Sequence, residues 1–335
     1  MEIRVLADAA AVAVEAAKVI AEEGRGAVAA RGRFIMAVSG GHTPWQMLRA
    51  LAREDVPWQA VYVAQVDERV APARDPDRNL THLRESLLQH APLRPEQIYA
   101  MPVDSSDLAG AARQYALTLR EIAGTPPVLD LVHLGLGPDG HTASLVPGDT
   151  VLNITEADVA LTEPYQQRRR MTLTYPMLNR ARRILWVVTG SEKAGMLTRL
   201  REGDVTIPAG RVCRDHALVL ADRAAAESLG PHCLRTLLRP SSGALRHNKK
   251  GVSGNDRAPN LSAYQLSTPP AINSSNSPCA PSSLRAYYHQ IVPPSTLIGL
   301  WPPPHARSVC APAEAADALQ RVFGSPITQP YEICM

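Results

Sequence analysis

Asp139 and His141, two positions apart, are the residues of this sequence whose types and setting most directly suggest proton chemistry. An imidazole exchanges its proton near neutral pH, and a carboxylate beside it can fix its tautomer and keep it from drifting. Both lie in the stretch DLVHLGLGPDGHTASLVPG, Asp130 to Gly148. There Leu131, Val132 and Leu134 read as the end of a buried parallel strand, and Gly135, Gly137 and Gly140 leave room for a tight turn with something close to the backbone. A solvated surface pair is the plain alternative for any Asp-x-His on a loop. The glycines and the apolar run ahead of it weigh against that alternative.

Four further clusters have types that could meet a ligand. Ser39-Gly40-Gly41-His42-Thr43-Pro44 follows the apolar run Phe34 to Val38 and precedes helical spacing over Trp45 to Arg53. A strand, a Ser/Thr/Gly turn and a helix N-terminus together make a physical anion trap, although an ordinary N-capped turn has the same local pattern. Asp67-Glu68-Arg69 ends the apolar run Val61 to Val66, at the strand end where open α/β sheets bind ligands; a surface ion pair is its bland reading. Gly190-Ser191-Glu192-Lys193 follows the strand Arg183 to Thr189, and its lysine is either solvated or a point charge for a phosphate. Arg168-Arg169-Arg170 reads as a solvated face without interleaved aromatics, from which one arginine could still reach a phosphate.

The elements that would hold these groups alternate along residues 1 to 238. Ile3 to Leu6 reads as a strand, Asp8 to Glu23 as a helix ending at Gly24 and Gly26, and Leu80 to Gln89 and Leu108 to Ala123 as helices. A loop occupies Val70 to Leu80, and the chain is irregular from Gly148 to Glu163-Pro164. A short helix begins at Tyr175, and Val219 to Leu229 closes the regular part as a strand and a helix. This alternation predicts an α/β fold with a mostly parallel sheet covered on both faces, its strand ends converging on one site. Gly135, Gly137 and Gly140 also spell G-x-G-x-x-G, but Pro147 and Gly148 interrupt any helix starting at Thr142, which excludes a dinucleotide site.

Composition bounds the partners. With 335 residues and 45% hydrophobic content the chain can bury a sizeable core, and a net charge of +3 gives no broad field to attract nucleic acid. The five cysteines are widely spaced without a C-x-x-C pair, which implies a reducing compartment. No basic leader precedes an apolar run at the N-terminus, and no stretch of about 18 apolar residues occurs. The expectation is a cytoplasmic protein without membrane or nucleic-acid partners.

SGGHTP at 39–44, VDER at 66–69, LGLGPDGHTASLVPG at 134–148, RMTLTYPMLN at 170–179 and VTGSEKA at 188–194 together resemble 6-phosphogluconolactonase in its stand-alone form. The resemblance spans about residues 1 to 230. It implies a modified Rossmann-like three-layer α/β sandwich, similar to glucosamine-6-phosphate deaminase and ribose-5-phosphate isomerase, and hydrolysis of 6-phospho-D-glucono-1,5-lactone to 6-phosphogluconate in the oxidative pentose phosphate pathway. It further implies that Ser39, Gly40, Gly41 and Thr43, with Arg170 and Lys193, hold the substrate phosphate. The catalytic set would be His141 activating water, Asp139 orienting it, and Arg69, beside Asp67, polarising the lactone carbonyl. No metal or organic cofactor is implied, and the protein would be a monomer or weak homo-oligomer. Departures from the family pattern are His42, Gln65-Val66 and Val146. A deaminase or isomerase of the same fold is the nearest rival, but its acidic motif is Asp-Glu-Tyr. A non-catalytic sugar-phosphate-sensing domain is the rival from another class, and it would normally bring a helix-turn-helix.

Residues 239 to 335 differ in kind: dense proline and serine, few acidic groups and no sustained period, with only Ala313 to Phe323 spaced as a short helix. The segment reads as a disordered tail recruiting partners through its proline runs, or as a sequence of no selected function such as a shifted reading frame. Its abrupt start favours the second.

Overall fold

The computed structural model describes residues 1–230; the Pro/Ser-rich segment from 239, its candidate helix at 313–323 and the expected boundary at 238 lie outside the described residues. Strands β1 (Glu2–Leu6), β2 (Phe34–Val38), β3 (Val61–Gln65), β5 (Ile98–Tyr99), β6 (Leu131–Leu134), β9 (Arg183–Val188) and β10 (Ala217–Asp222) form one sheet in the order β1-β10-β9-β6-β2-β3-β5. Every pairing in it is parallel. Strands β4 (Asp67–Arg69), β7 (Val159–Leu161) and β8 (Arg170–Leu173) make a second, antiparallel sheet in the order β4-β8-β7.

Alternation along the parallel strands sorts the core into two layers. Phe34, Met36 and Val38 face one side with Leu185 and Leu218, and are covered by α1 (Ala9–Arg31), α2 (His42–Leu51) and α3 (Asn79–Leu83). Ile35, Ala37, Val132 and Trp186 face the other side, under α4 (Leu108–Ala123), α5 (Tyr175–Asn179), α6 (Ala194–Glu202) and the small sheet. The three-layer α/β sandwich follows from strands buried on both faces. Because β2 leads on to β3 while β6 leads the other way to β9, their carboxyl ends meet at the point where the strand order reverses, where such sheets open a crevice.

Several boundaries differ from the sequence reading. Helix α1 does not stop at Gly24 and Gly26 but runs to Arg31 and is capped by Gly32 at φ 73°. Gly24 lies against the Phe34 ring, 3.2 Å from where its Cβ would be, so close helix-to-sheet packing keeps this glycine inside the helix. Helix α2 starts at His42, three residues before Trp45, so the turn threonine belongs to the helix. Asp67-Glu68-Arg69 is not a strand end but a strand of its own, and Val159–Leu161 lies within the stretch expected to be irregular. The helix expected after β10 is only a short 3-10 turn at Glu227–Leu229. Cys213, the one cysteine among the described residues, is buried. No helix among the described residues is long and apolar enough to cross a membrane.

Candidate active site

A cavity of about 380 Å³ opens at the carboxyl ends of the parallel strands. Nine of the ten residues expected at the site line it: Ser39, Gly40, Gly41 and Thr43 after β2, Asp67 and Arg69 on β4, His141 after β6, Arg170 on β8 and Lys193 after β9. The tenth, Asp139, stands behind His141.

The imidazole is built in by its turn. Asp139 Oδ1 accepts from the His141 backbone N–H at 3.1 Å and from Nδ1 at 2.5 Å, which leaves Nε2 as the ring nitrogen free to take a proton. Burial opposes charge on Asp139, yet the His141 backbone N–H, the imidazole and the Tyr165 hydroxyl outweigh it and hold the carboxyl below its usual range. Gly137 is obligatory here, since a Cβ would stand 2.1 Å from His141 Nδ1 and 2.6 Å from Asp139 Oδ1.

The end of the cavity opposite His141 is formed by the first turn of α2. Gly41, at φ 124°, turns the chain so that the helix begins at the cavity, bringing free backbone N–H groups and a partial positive charge. Gly40 has no room for a side chain, its Cβ position lying 1.9 Å from Asn79 Oδ1. The Thr43 hydroxyl pairs with that of Thr189 at 2.7 Å. Ser39 differs from expectation in what it offers: its hydroxyl donates to the His133 carbonyl at 3.0 Å and its N–H to His133 Nδ1 at 3.3 Å, so both donors are spent beneath the turn. His133 is fully buried, and burial pushes its imidazole down to about 3.

Two guanidinium groups dominate the electrostatics. Arg69 and Arg170 are register partners across β4 and β8. Arg69 Nη1 is held by Asn79 Oδ1 at 2.9 Å and by the Asp77 carbonyl at 2.8 Å. The Nε–H groups of both arginines are buried and have no hydrogen-bond partner among the described residues. Burial, with the charge of Arg69 close by, lowers the pKa of Arg170, and Asp67 partly offsets this. Asp67 is itself engaged, accepting from Ser144 Oγ at 2.7 Å and from Asn79 Nδ2 at 3.4 Å. Of the three consecutive arginines only Arg170 points inward; the strand's alternation sends Arg169 out, and Arg168 pairs with Asp75 and Asp77.

Sequence reasoning passed over four side chains that place these groups. Glu68 is fully buried, and its carboxylate accepts from Gln65 Nε2 at 2.9 Å and from the N–H groups of Arg69, Asn79 and Leu80 at 2.8 Å each. It thereby caps α3 and fixes Asn79, which in turn fixes Arg69. A carboxylate between the two expected residues of the DER strand was the available signal. Ser144 and His133 had none beyond being polar in an apolar run. Tyr165 donates to Asp139 Oδ2 at 3.1 Å and sits under the Arg170 guanidinium at 5.0 Å, in a segment with no readable period.

The family model described as glucosamine-6-phosphate isomerases/6-phosphogluconolactonase matches residues 7–220. A 6-phosphogluconolactonase of Mycobacterium tuberculosis is 35% identical over 217 residues, covering 61% of this chain and 88% of that protein. One of Synechocystis is 36% identical over 171 residues, 50% of this chain and 71% of that protein. Among solved structures, a 6-phosphogluconolactonase of Trypanosoma cruzi superposes with a TM-score of 0.63 at 25% identity, covering 69% of this chain and 97% of that one. That of Thermotoga maritima gives 0.59 at 26% identity, over 66% and 98%. With the matched residues taking in every loop that reaches the cavity, this chain belongs to the glucosamine-6-phosphate isomerase/6-phosphogluconolactonase family.

Proposed function

We propose that this protein hydrolyses 6-phospho-D-glucono-1,5-lactone to 6-phospho-D-gluconate. The observation that carries this reading is one cavity with a histidine–aspartate pair on one wall and three cations with a helix N-terminus around the rest. His141 Nε2 takes a proton from water as the water oxygen bonds to the lactone carbonyl carbon. Arg69 faces the oxyanion that forms. As the bond from that carbon to the ring oxygen breaks, the imidazolium returns its proton to the leaving oxygen, giving an open-chain acid that ionises. Such acid–base assistance contributes ~10²–10⁴-fold, and oxyanion stabilisation is of similar size.

The phosphate lies against the Gly40–Thr43 turn, with Arg170 and Lys193 as its cations. Asp67 acts as a spacer that keeps two arginines close and Ser144 and Asn79 in place, and Ser39 supports the turn from below. The test is lactone hydrolysis by the full chain, corrected for spontaneous opening, beside His141→Ala. Turnover that falls to background in the variant is expected. A folded protein no faster than buffer overturns the reading; release of ammonia from glucosamine 6-phosphate would then assign a deaminase, and binding without turnover a sensor.

A further inference from the structure

The hairpin joining β7 to β8 ends in an unusual turn. Tyr165 and Arg168 exchange backbone hydrogen bonds of 3.0 and 3.2 Å across Gln166 and Gln167, whose φ values are 50° and 65°. Two-residue turns of this hand favour asparagine and glycine, so a pair of glutamines here is strained. The tip is nevertheless tied on both sides. Arg168 bonds Asp77 at 2.8 and 3.0 Å, and Arg170 Nη2 donates to Gln166 Oε1 at 3.0 Å.

Tyr165, at the start of this turn, touches both Asp139 and Arg170. Both bonds from His141 go to Asp139 Oδ1, whereas Oδ2 takes its one described bond from the Tyr165 hydroxyl. Without that bond only Oδ1 is tied, by His141 itself, and the plane of the carboxylate, hence the direction of its lone pairs toward Nδ1, is less tightly set. The same ring meets His141 edge-on at 5.7 Å and carries the Arg170 guanidinium on its face at 5.0 Å.

We propose that Tyr165 is a positioning residue, its hydroxyl setting the plane of Asp139 behind His141 while its ring face sets Arg170. This rests on the lactonase reading for its kinetic consequences, though not for its structural ones. Tyr165→Phe keeps the ring and loses the hydroxyl; Tyr165→Leu loses both.

In the full chain, Tyr165→Phe is expected to lower kcat about 10-fold, the scale of one hydrogen bond to a charged group, with KM within about twofold. Tyr165→Leu is expected to add a rise in KM of about two- to fivefold as Arg170 loses its aromatic face. The proton in the short His141–Asp139 bond, assigned by its loss in His141→Ala, should give a downfield resonance that moves or broadens in Tyr165→Phe. A Tyr165→Phe protein with unchanged kcat and an unchanged resonance overturns the proposal, as does one whose only change is a lower thermal midpoint. If the wild-type chain does not hydrolyse the lactone and the resonance still moves, the functional reading fails and the positioning role stands.

Discussion

Replacing His133 by asparagine removes a titrating group from beneath the Gly40–Thr43 turn while keeping an acceptor where Nδ1 now takes the Ser39 N–H. That bond makes Nδ1 the acceptor, so the ring proton sits on Nε2, which is buried and has no partner among the described residues. The folded imidazole is pushed down to about 3 by burial, whereas in the unfolded chain it titrates near about 6.5. With the folded value depressed, protons bind the unfolded chain preferentially. The contribution to stability is fully present above the unfolded value and is lost as pH falls toward the folded one. Between about pH 7 and pH 5 the loss is on the order of 2 kcal/mol. Carboxylates titrate over the lower part of the same range, so the quantity to measure is the difference between wild type and variant. At about pH 7 the smaller side chain leaves the variant less stable by ~1–3 kcal/mol. At about pH 5 that gap should narrow by about 2 kcal/mol. Urea unfolding at both values, with slopes compared, reads it directly. A gap that stays constant to within ~0.5 kcal/mol would refute the argument that His133 is a neutral imidazole held by burial.

Gly137→Ala places a methyl where His141 Nδ1 and Asp139 Oδ1 now meet; the glycine is not in the left-handed region, so the clash alone should act, with kcat falling ~100-fold or more while the thermal midpoint changes little. Lys193→Met removes a cation from the cavity wall and should raise KM ~10-fold or more with kcat nearly intact, read in initial-rate lactone assays. Glu68→Gln turns an amide donor toward N–H groups that now share a carboxylate, and should cost ~3–5 kcal/mol in chemical unfolding; a cost under ~1 kcal/mol would mean the network is not formed. Truncation after residue 238 should retain full lactonase turnover; loss of turnover with the fold intact would give the Pro/Ser-rich segment a part in the site.

The parallel sheet and most of the cavity were legible because they depend on short-range signals. Leu108 to Ala123 carries a helical period, and the structure ends that helix at the same residues, with Asp107 capping it. Phe34 to Val38 is an uninterrupted apolar run, as strands covered on both faces are. What escaped were features set by contacts between distant segments. Nothing local distinguishes Gly24, which continues a helix, from Gly32, which ends one; the Phe34 ring decides it. Three-residue strands such as Asp67–Arg69 exist only by pairing with β8, so their sequence has no period to read. Tyr165 and Glu68 also bind partners 26 and 12 residues away, Asp139 and Leu80, which a short window around either residue does not contain.

Facing Arg69 and Arg170 across an antiparallel pair has a consequence for substrate binding. Like charges directly opposed in a ladder work against the pairing, so the small sheet is weakest when nothing anionic lies between them. An anionic substrate entering the cavity, with its phosphate near Arg170 and its developing oxyanion near Arg69, would then lessen that repulsion. Its affinity is partly the relief of this repulsion, and the amides of β8 should exchange more slowly with solvent once it is bound.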